Sequence, residues 1–166
     1  MKKNKLNVLL VIGGNSKERE VSLDSGEACF KALKRLGFSV KKFDPLKENF
    51  NEIRNKNVDI IFNSLHGKGG EDGFAQSYFE YLKIPYTHSG VLSSMNAMDK
   101  VTSKEIFSKN KILTPNFFLI NKKIININKI IKLMKIKKIK FPVVIKPVNE
   151  GSSIGVKICN NSQKLK

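Results

Sequence analysis

Residues 6–14 read Leu6-Asn7-Val8-Leu9-Leu10-Val11-Ile12-Gly13-Gly14. An almost unbroken apolar run ending in two glycines is what a strand covered on both faces requires, and such strands belong to parallel sheets flanked by helices. The next pattern outward is helical, from Ser22 to Leu36. There Ala28, Ala32 and Leu36 recur at helical spacing beside Leu33, and Gly37 stands where a C-cap belongs. Phe38 to Phe43 alternates as a second strand, and Val58 to Asn63 is a third, short and buried. A helix is predicted from Phe74 to Leu82, with Pro85 in a strand or loop beyond it. This β-α-β-β-α order predicts a mostly parallel sheet covered by helices.

The organisation changes near residue 98, which divides the chain into an expected lobe of residues 1–98 and a second of residues 99–166. In the second, a short helix is expected at Thr102 to Lys109, then Pro115 and a strand-like Asn116 to Ile120. A basic amphipathic helix follows from Asn128 to Lys138. Phe141 to Lys146 and Ile154 to Cys159 read as an antiparallel pair joined by a Gly/Ser loop. The Ile/Lys/Asn-rich stretch 121–140 keeps apolar spacing and is read as ordered.

Composition narrows the classes of function. The chain has 166 residues and a net charge of +17, from 31 Lys and Arg against 14 Asp and Glu. Such a balance suggests a nucleic-acid partner. The charge is carried mostly by lysine, which lacks arginine's fork for base edges, and it is spread along the chain. A solvated Lys-rich surface is the favoured reading, and no specific nucleic acid is expected. No run approaches the roughly 18 apolar residues of a membrane span. Lys2, Lys3 and Lys5 before the first apolar run imitate a signal peptide, but the run is short and no small-residue cleavage site follows, so a cytoplasmic location is expected. Cys29 and Cys159 are far apart in sequence and read as small apolar fillers.

Four segments carry polar chemistry. In Gly13-Gly14-Asn15-Ser16-Lys17-Glu18-Arg19-Glu20, the acidic Glu18 and Glu20 argue against a bound phosphate. A carboxylate at the edge of a parallel sheet suits a ligand ammonium, and helix capping is the equal alternative. In the turn from Ser64 to Gly73, four glycines (Gly67, Gly69, Gly70 and Gly73) imply positive φ or close backbone approach. His66 ends a buried strand there, where open α/β sheets bind ligands, and a structural role is the alternative. His88 is read as structural. Lys100, in Met98-Asp99-Lys100, sits at the expected lobe boundary and could pair with phosphate or simply face solvent. Alternation puts Lys146 with Val144 on one strand face, and a lysine turned toward a buried site calls for an anion. With the Gly151-Ser152-Ser153 loop it suggests a phosphate clamp, against the alternative of a polar hairpin with a snorkelling lysine.

Taken in order, GGNSKEREVSLDSG at 13–26, IFNSLHGKGGEDG at 61–73, IPYTHSGVLSSMNAMDK at 84–100 and FPVVIKPVNEGSSIGV at 141–156 resemble the D-alanine–D-alanine ligases of the ATP-grasp superfamily. The resemblance covers nearly the whole chain. His88 departs from it, standing where the family usually has a small residue.

The resemblance implies an α/β fold. A Rossmann-like, parallel-sheet lobe of the pre-ATP-grasp type would be followed by an incomplete ATP-grasp lobe. It further implies ATP- and Mg2+-dependent ligation of two D-alanines through an acyl phosphate, for peptidoglycan. By matching position, Glu18 would hold the first D-alanine's ammonium and His66 would lie beside that substrate. Lys100 and Lys146 would hold ATP phosphates, and Gly151, Ser152 and Ser153 would close over the γ-phosphate. Ser152 would also hydrogen-bond Glu18, so Glu18 and Lys146 are expected to converge across a cleft.

Family members are longer than this chain, and their metal ligands come later in sequence. The expectation is therefore an N-terminal portion with no metal site of its own and little activity alone, able to pair as a homodimer through the first lobe. Residues 1–98 are expected to be the better-ordered part. The alternatives are a different acceptor such as D-lactate, a non-catalytic remnant, and a basic nucleic-acid-binding module.

Overall fold

The computed structural model describes residues 6–121 and 126–165. Lys2, Lys3 and Lys5, and the part of the Ile/Lys/Asn stretch at 122–125, lie outside the described residues. The chain divides into two compact units, Met1–Met98 and Asp99–Lys166.

The first unit is built on three parallel strands, β1 (Asn7–Val11), β2 (Ser39–Phe43) and β3 (Ile60–Asn63), in the order β2-β1-β3. The apolar run at 6–12 is thus the central strand, and Leu9, Leu10 and Val11 are wholly buried. Leu9 and Val11 face one cluster with Phe43, Ile53, Ile61, Leu65 and Phe79. Val8, Leu10 and Ile12 face the other, under the first helix. Beyond β3, Ile61 pairs with Tyr86, its N–H donating to Pro85 O and its O accepting from Thr87 N–H. Helices α1 (Arg19–Arg35), α2 (Phe74–Tyr81) and α3 (Val91–Met98) complete the unit. The sequence pattern had not distinguished α3.

The inward face of α1 differs from the expectation. Ala28 and Leu36 are exposed, and the buried face runs through Ser22 and Gly26, with Leu23, Cys29, Phe30 and Leu33 packed on the strands. Close approach is the reason. A Cβ on Gly26 would stand 2.3 Å from Ile12 Cγ2, so the helix lies directly on β1 where it has no side chain. Gly37 (φ +87) ends the helix as expected, with Gly37 N–H bonded to Lys34 O and Phe38 N–H to Leu33 O.

The second unit holds α4 (Lys100–Lys109), α5 (Ile127–Ile136) and an antiparallel hairpin of β4 (Val143–Ile145) and β5 (Lys157–Cys159). Asp99 caps α4, its carboxylate accepting from the N–H groups of Val101 and Thr102. A small core gathers Ile130, Met134, Cys159 and Leu165, with Phe118, Ile120, Phe141, Val143 and Ile145 against it.

Two expectations are corrected here. Asn116 to Ile120 forms no strand: Phe118 and Ile120 do turn inward while Leu119 is exposed, but the segment joins no ladder. The second hairpin strand begins at Lys157 rather than Ile154, because Ile154 N–H bonds Gly151 O and Val156 N–H bonds Ser153 O in a turn.

Candidate functional site

All three parallel strands end on one edge, and the polar residues of the first unit collect there. After β1, Gly13 (φ +75) and Gly14 (φ +72) turn the chain toward α1. The turn is held by Asp44, which follows β2. Its carboxylate accepts from Gly14 N–H at 3.1 Å and pairs in two places with the Arg19 guanidinium, at 2.6 and 3.1 Å, while Arg19 also donates to Gly14 O at 2.8 Å. Burial works against the charged form of Asp44, but the Arg19 guanidinium and the N–H groups of Gly14 and Leu46 outweigh it and hold its carboxyl down at about 2. A Cβ on Gly13 would meet Arg19 Nη1 at 2.6 Å and Asp44 Oδ1 at 2.8 Å, so only glycine fits beneath this pair.

Glu18 occupies the N-cap position of α1, yet its side chain makes no capping hydrogen bond. The residue is 6 % exposed, and its carboxylate is directed onto the backbone of Gly67: a Cβ there would lie 2.2 Å from Glu18 Oε2. The first two segments singled out in the sequence thus meet, with Glu18 against the residue that follows His66.

The β3 turn is fastened to α1 by serines. Ser22 Oγ accepts from Gly13 N–H at 2.8 Å and donates to Ser64 O at 2.6 Å. Ser16 Oγ donates to His66 O at 2.7 Å and accepts from Glu18 N–H at 3.1 Å. Ser25 Oγ lies 2.8 Å from Val21 O and 3.0 Å from His66 Nε2. Whether the hydroxyl or the ring donates follows from the imidazole tautomer. On the other side of the ring, Nδ1 is 3.9 Å from Glu71 Oε1, whose second oxygen accepts from Gly67 N–H at 2.8 Å. His88 donates from Nε2 to Asn63 O at 2.7 Å. The edge therefore offers a nearly buried carboxylate, suited to an ammonium, against Gly67, whose sequence neighbour His66 has an imidazole with fixed partners.

In the second unit Lys100 opens α4. Its ammonium donates to Val148 O at 3.2 Å and to Glu150 O, on the segment leading into the Gly/Ser loop. Ser152 (φ +44), Ser153 (φ +60) and Gly155 (φ +69) turn that loop, with both serines exposed and Gly151 half-buried. Lys146 directly follows β4. The expectation that it faces a buried site is corrected: Val143 and Ile145 take the core side, and Lys146 and Val144 stand exposed on the other. Lys104 had not been singled out. It donates to Thr114 Oγ1 at 2.6 Å and to Pro115 O at 2.9 Å, and burial together with the nearby Lys146 charge pushes its pKa down. Lys100, Lys146 and Gly151–Ser153 thus belong to one unit, and Glu18 and His66 to the other. Among the described residues no group of three or more His, Cys, Asp or Glu is placed to hold a metal ion. No described helix is long and apolar enough to cross a membrane.

Sequence reasoning also passed over Ser16, Ser22, Ser25, Glu71 and the Arg19–Asp44 pair. The readable signal for the helical two was Ser22 and Ser25, three apart on α1 and just before the inward Gly26.

Comparison with known proteins places nearly the whole chain among one set of relatives. The family described as D-ala D-ala ligase N-terminus matches residues 37–89, and D-ala D-ala ligase C-terminus matches residues 106–166. A D-alanine–D-alanine ligase of Pelagibacter ubique is 51% identical over 159 residues, covering 96% of this chain and 52% of that protein. The D-alanine–D-alanine ligase of Bacillus anthracis complexed with ATP superposes with a TM-score of 0.78 at 33% identity, over 96% of this chain and 52% of that one. The VanG D-Ala:D-Ser ligase of Enterococcus faecalis gives a TM-score of 0.75 at 27% identity, over 97% of this chain and 57% of that one. Fold and relatives together define the class, an α/β chain with the N-terminal architecture of ATP-grasp ligases. The chain belongs to the D-alanine–D-alanine ligase family. It spans about half the length of the curated relatives it matches, 52% and 53% for two of them.

Proposed function

We propose that this chain supplies the first-substrate and nucleotide-handling segments of a cytoplasmic ligase that makes D-alanyl-D-alanine for peptidoglycan. In that reaction the γ-phosphoryl group of ATP passes to a carboxylate oxygen of one D-alanine, and ADP leaves. The amine of a second D-alanine attacks the acyl carbon. The tetrahedral adduct loses inorganic phosphate, and the amine gives up a proton to leave the amide.

Glu18 would bind the ammonium of the first D-alanine, with His66 beside it. Lys100 and Lys146 would offset phosphate charge, and Gly151, Ser152 and Ser153 would close over the γ-phosphate with backbone N–H groups and hydroxyls. Orientation of the first substrate by an ion pair, and charge compensation by lysine, are the contributions these residues can make. Mg2+, which the family resemblance implies, would stabilise charge on the phosphates.

The carrying observation is the Glu18 carboxylate, 6 % exposed and packed on Gly67 at the strand-end edge. A carboxylate so withdrawn from water favours a cationic partner. The test is an NMR titration of the chain with D-alanine. D-Alanine should shift Gly67 and His66 resonances in the wild type and leave them unmoved in Glu18→Gln. Equal shifts in both proteins would refute the assignment.

The alternative reading is a ligase with a different acceptor such as D-lactate, and a D-Ala:D-Ser ligase is among the similar structures, at a TM-score of 0.75. Glu18 and His66 would serve the first D-alanine in either case, so the two readings share this site.

We also propose that the first unit pairs with a second copy of itself. Phe74, Tyr81, Leu92 and Met95 on α2 and α3 are 61%, 66%, 74% and 51% exposed. In a chain of net charge +17, residues 74–98 carry only Glu80 and Lys83 as charged side chains. That face lets two copies approach with the least like-charge repulsion. Sedimentation equilibrium should give a dimer that Leu92→Glu converts to monomer. A wild-type monomer at about 100 μM, far above the Kd of a specific pair, would refute it.

A further inference from the structure

Ser16 is half-buried and lies in the β1–α1 turn, two residues before Glu18. Its hydroxyl does two things at once, accepting from Glu18 N–H at 3.1 Å and donating to His66 O at 2.7 Å. One oxygen thereby touches the backbones of both residues assigned to the first substrate, although they are 48 positions apart in sequence. Its Cβ would also stand 3.6 Å from a Cβ on Gly67, so there is little slack between the two turns. The other fastenings do not bridge these two backbones: Ser25 reaches the His66 ring, Glu71 accepts from Gly67 N–H, Ser22 joins Gly13 to Ser64, and Asp44 joins Gly14 to Arg19.

We propose that Ser16 is a positioning residue that sets the spacing between the Glu18 carboxylate and the His66–Gly67 segment, and so the fit of an amino-acid ammonium held there. This rests on the D-alanine reading of the site. The bridge needs both a donor and an acceptor on one short side chain, which serine and threonine provide and alanine does not. Binding constellations lose much of their affinity when displaced by about 0.5–1 Å. Without the hydroxyl, the His66 carbonyl and the Glu18 N–H lose their shared partner and the turns are free to separate by that much.

The test has two readouts on the full chain. In the first, D-alanine affinity is measured by NMR titration for the wild type, Ser16→Ala, Ser16→Thr and Val40→Ala. Val40 is a core residue of β2, 8% exposed, and reports general destabilisation. Ser16→Ala should bind about tenfold more weakly, Ser16→Thr within about threefold of wild type, and Val40→Ala within about twofold, on a scale where tenfold is about 1.4 kcal/mol. Wild-type affinity in Ser16→Ala, or an equal loss in Val40→Ala, would overturn the proposal.

The second readout needs no ligand. The Gly67 α-proton that a Cβ would replace lies against the Glu18 carboxylate, so Glu18→Gln should displace the Gly67 α-proton resonances. In a Ser16→Ala background that displacement should fall by at least half. If the wild type fails to bind D-alanine, the ligand reading falls and this measurement alone decides the spacing role, an undiminished displacement counting against it.

Discussion

Gly67→Ala is the sharpest probe of the site. A methyl group at this position meets two separate obstacles. Gly67 has φ +67, where an L side chain costs about 1–2 kcal/mol, and the new Cβ would stand 2.2 Å from Glu18 Oε2 and 3.2 Å from its carboxyl carbon. Gly69 separates the two, for it has φ +84 and nothing within 4 Å of its would-be Cβ. Gly69→Ala therefore carries the backbone strain alone, reduced by the lost freedom of the unfolded chain to a net of about 0.5–1.5 kcal/mol. Gly67→Ala should lose a further ~1–3 kcal/mol as the carboxylate is forced aside, the usual range for overpacking.

Urea unfolding followed by far-ultraviolet circular dichroism suits a chain that has no tryptophan. With a slope of about 1.5 kcal/mol per molar urea, a 2 kcal/mol excess moves the midpoint by roughly 1.3 M beyond that of Gly69→Ala. A double-mutant cycle completes the case. In a Glu18→Ala background the contact atoms are gone, so Gly67→Ala should cost no more than Gly69→Ala. If the two glycine variants lose equal stability, or if truncating Glu18 brings no relief, Glu18 does not pack on Gly67 and the proposed ammonium site loses its geometry.

Other perturbations address other parts of the molecule. Gly26→Ala gains about 1 kcal/mol of helix propensity but puts a methyl 2.3 Å from Ile12 Cγ2, so a net loss of about 1–2 kcal/mol is expected; it should shrink in an Ile12→Ala background, measured by the same unfolding assay. The Asp44 carboxyl is held at about 2 against an ordinary 3.8, so its charged, paired form adds stability that is complete above about pH 4 and lost as pH falls from 3.8 toward 2. Asp44→Asn should therefore melt below wild type at pH 6 and match it near pH 2; a constant gap would contradict the pairing with Arg19. Hydrogen exchange should be slowest at the amides of β1, β2 and β3, and greater protection in residues 99–166 would contradict the first unit's larger core. A polypeptide of residues 1–166 alone should release phosphate from ATP and D-alanine far more slowly than a full-length relative, and comparable turnover would refute the need for residues beyond those matched here.

How far the sequence spoke for the structure depended on what decided each element. Burial on both faces decided β1, and the run from Leu6 to Ile12 announced it without help from any other segment. The parallel order followed, because a strand buried on both sides must be flanked by two others and crossed by helices. Helix α1 was legible in its existence but not in its orientation. Counting apolar residues selected Ala28, Ala32 and Leu36, while the helix packs through Ser22 and Gly26. A polar or missing side chain wins the inner face when partners across the contact reward it, here Gly13 N–H and Ser64 O for Ser22, and Ile12 for the bare Gly26. Asn116 to Ile120 went the other way: its alternation was real, but a ladder requires a neighbour that composition cannot supply.

The site divides along the same line. Glu18 and His66 were visible because glycines and chain reversals marked the turns that carry them. Their shared fastening was not, because Ser16, Ser22, Ser25 and Glu71 act through scattered side-chain hydrogen bonds, those of the serines to the β3 turn reaching across 41 to 50 positions, which leave no periodic trace. Lys146 shows the limit of alternation itself. It placed Lys146 opposite Val143 and Ile145 correctly, but only the packing of Ile130 and Met134 against those two residues makes theirs the inner face. For an amphipathic hairpin on an edge, the strand pattern fixes which residues share a face, and the rest of the fold decides which face meets the core.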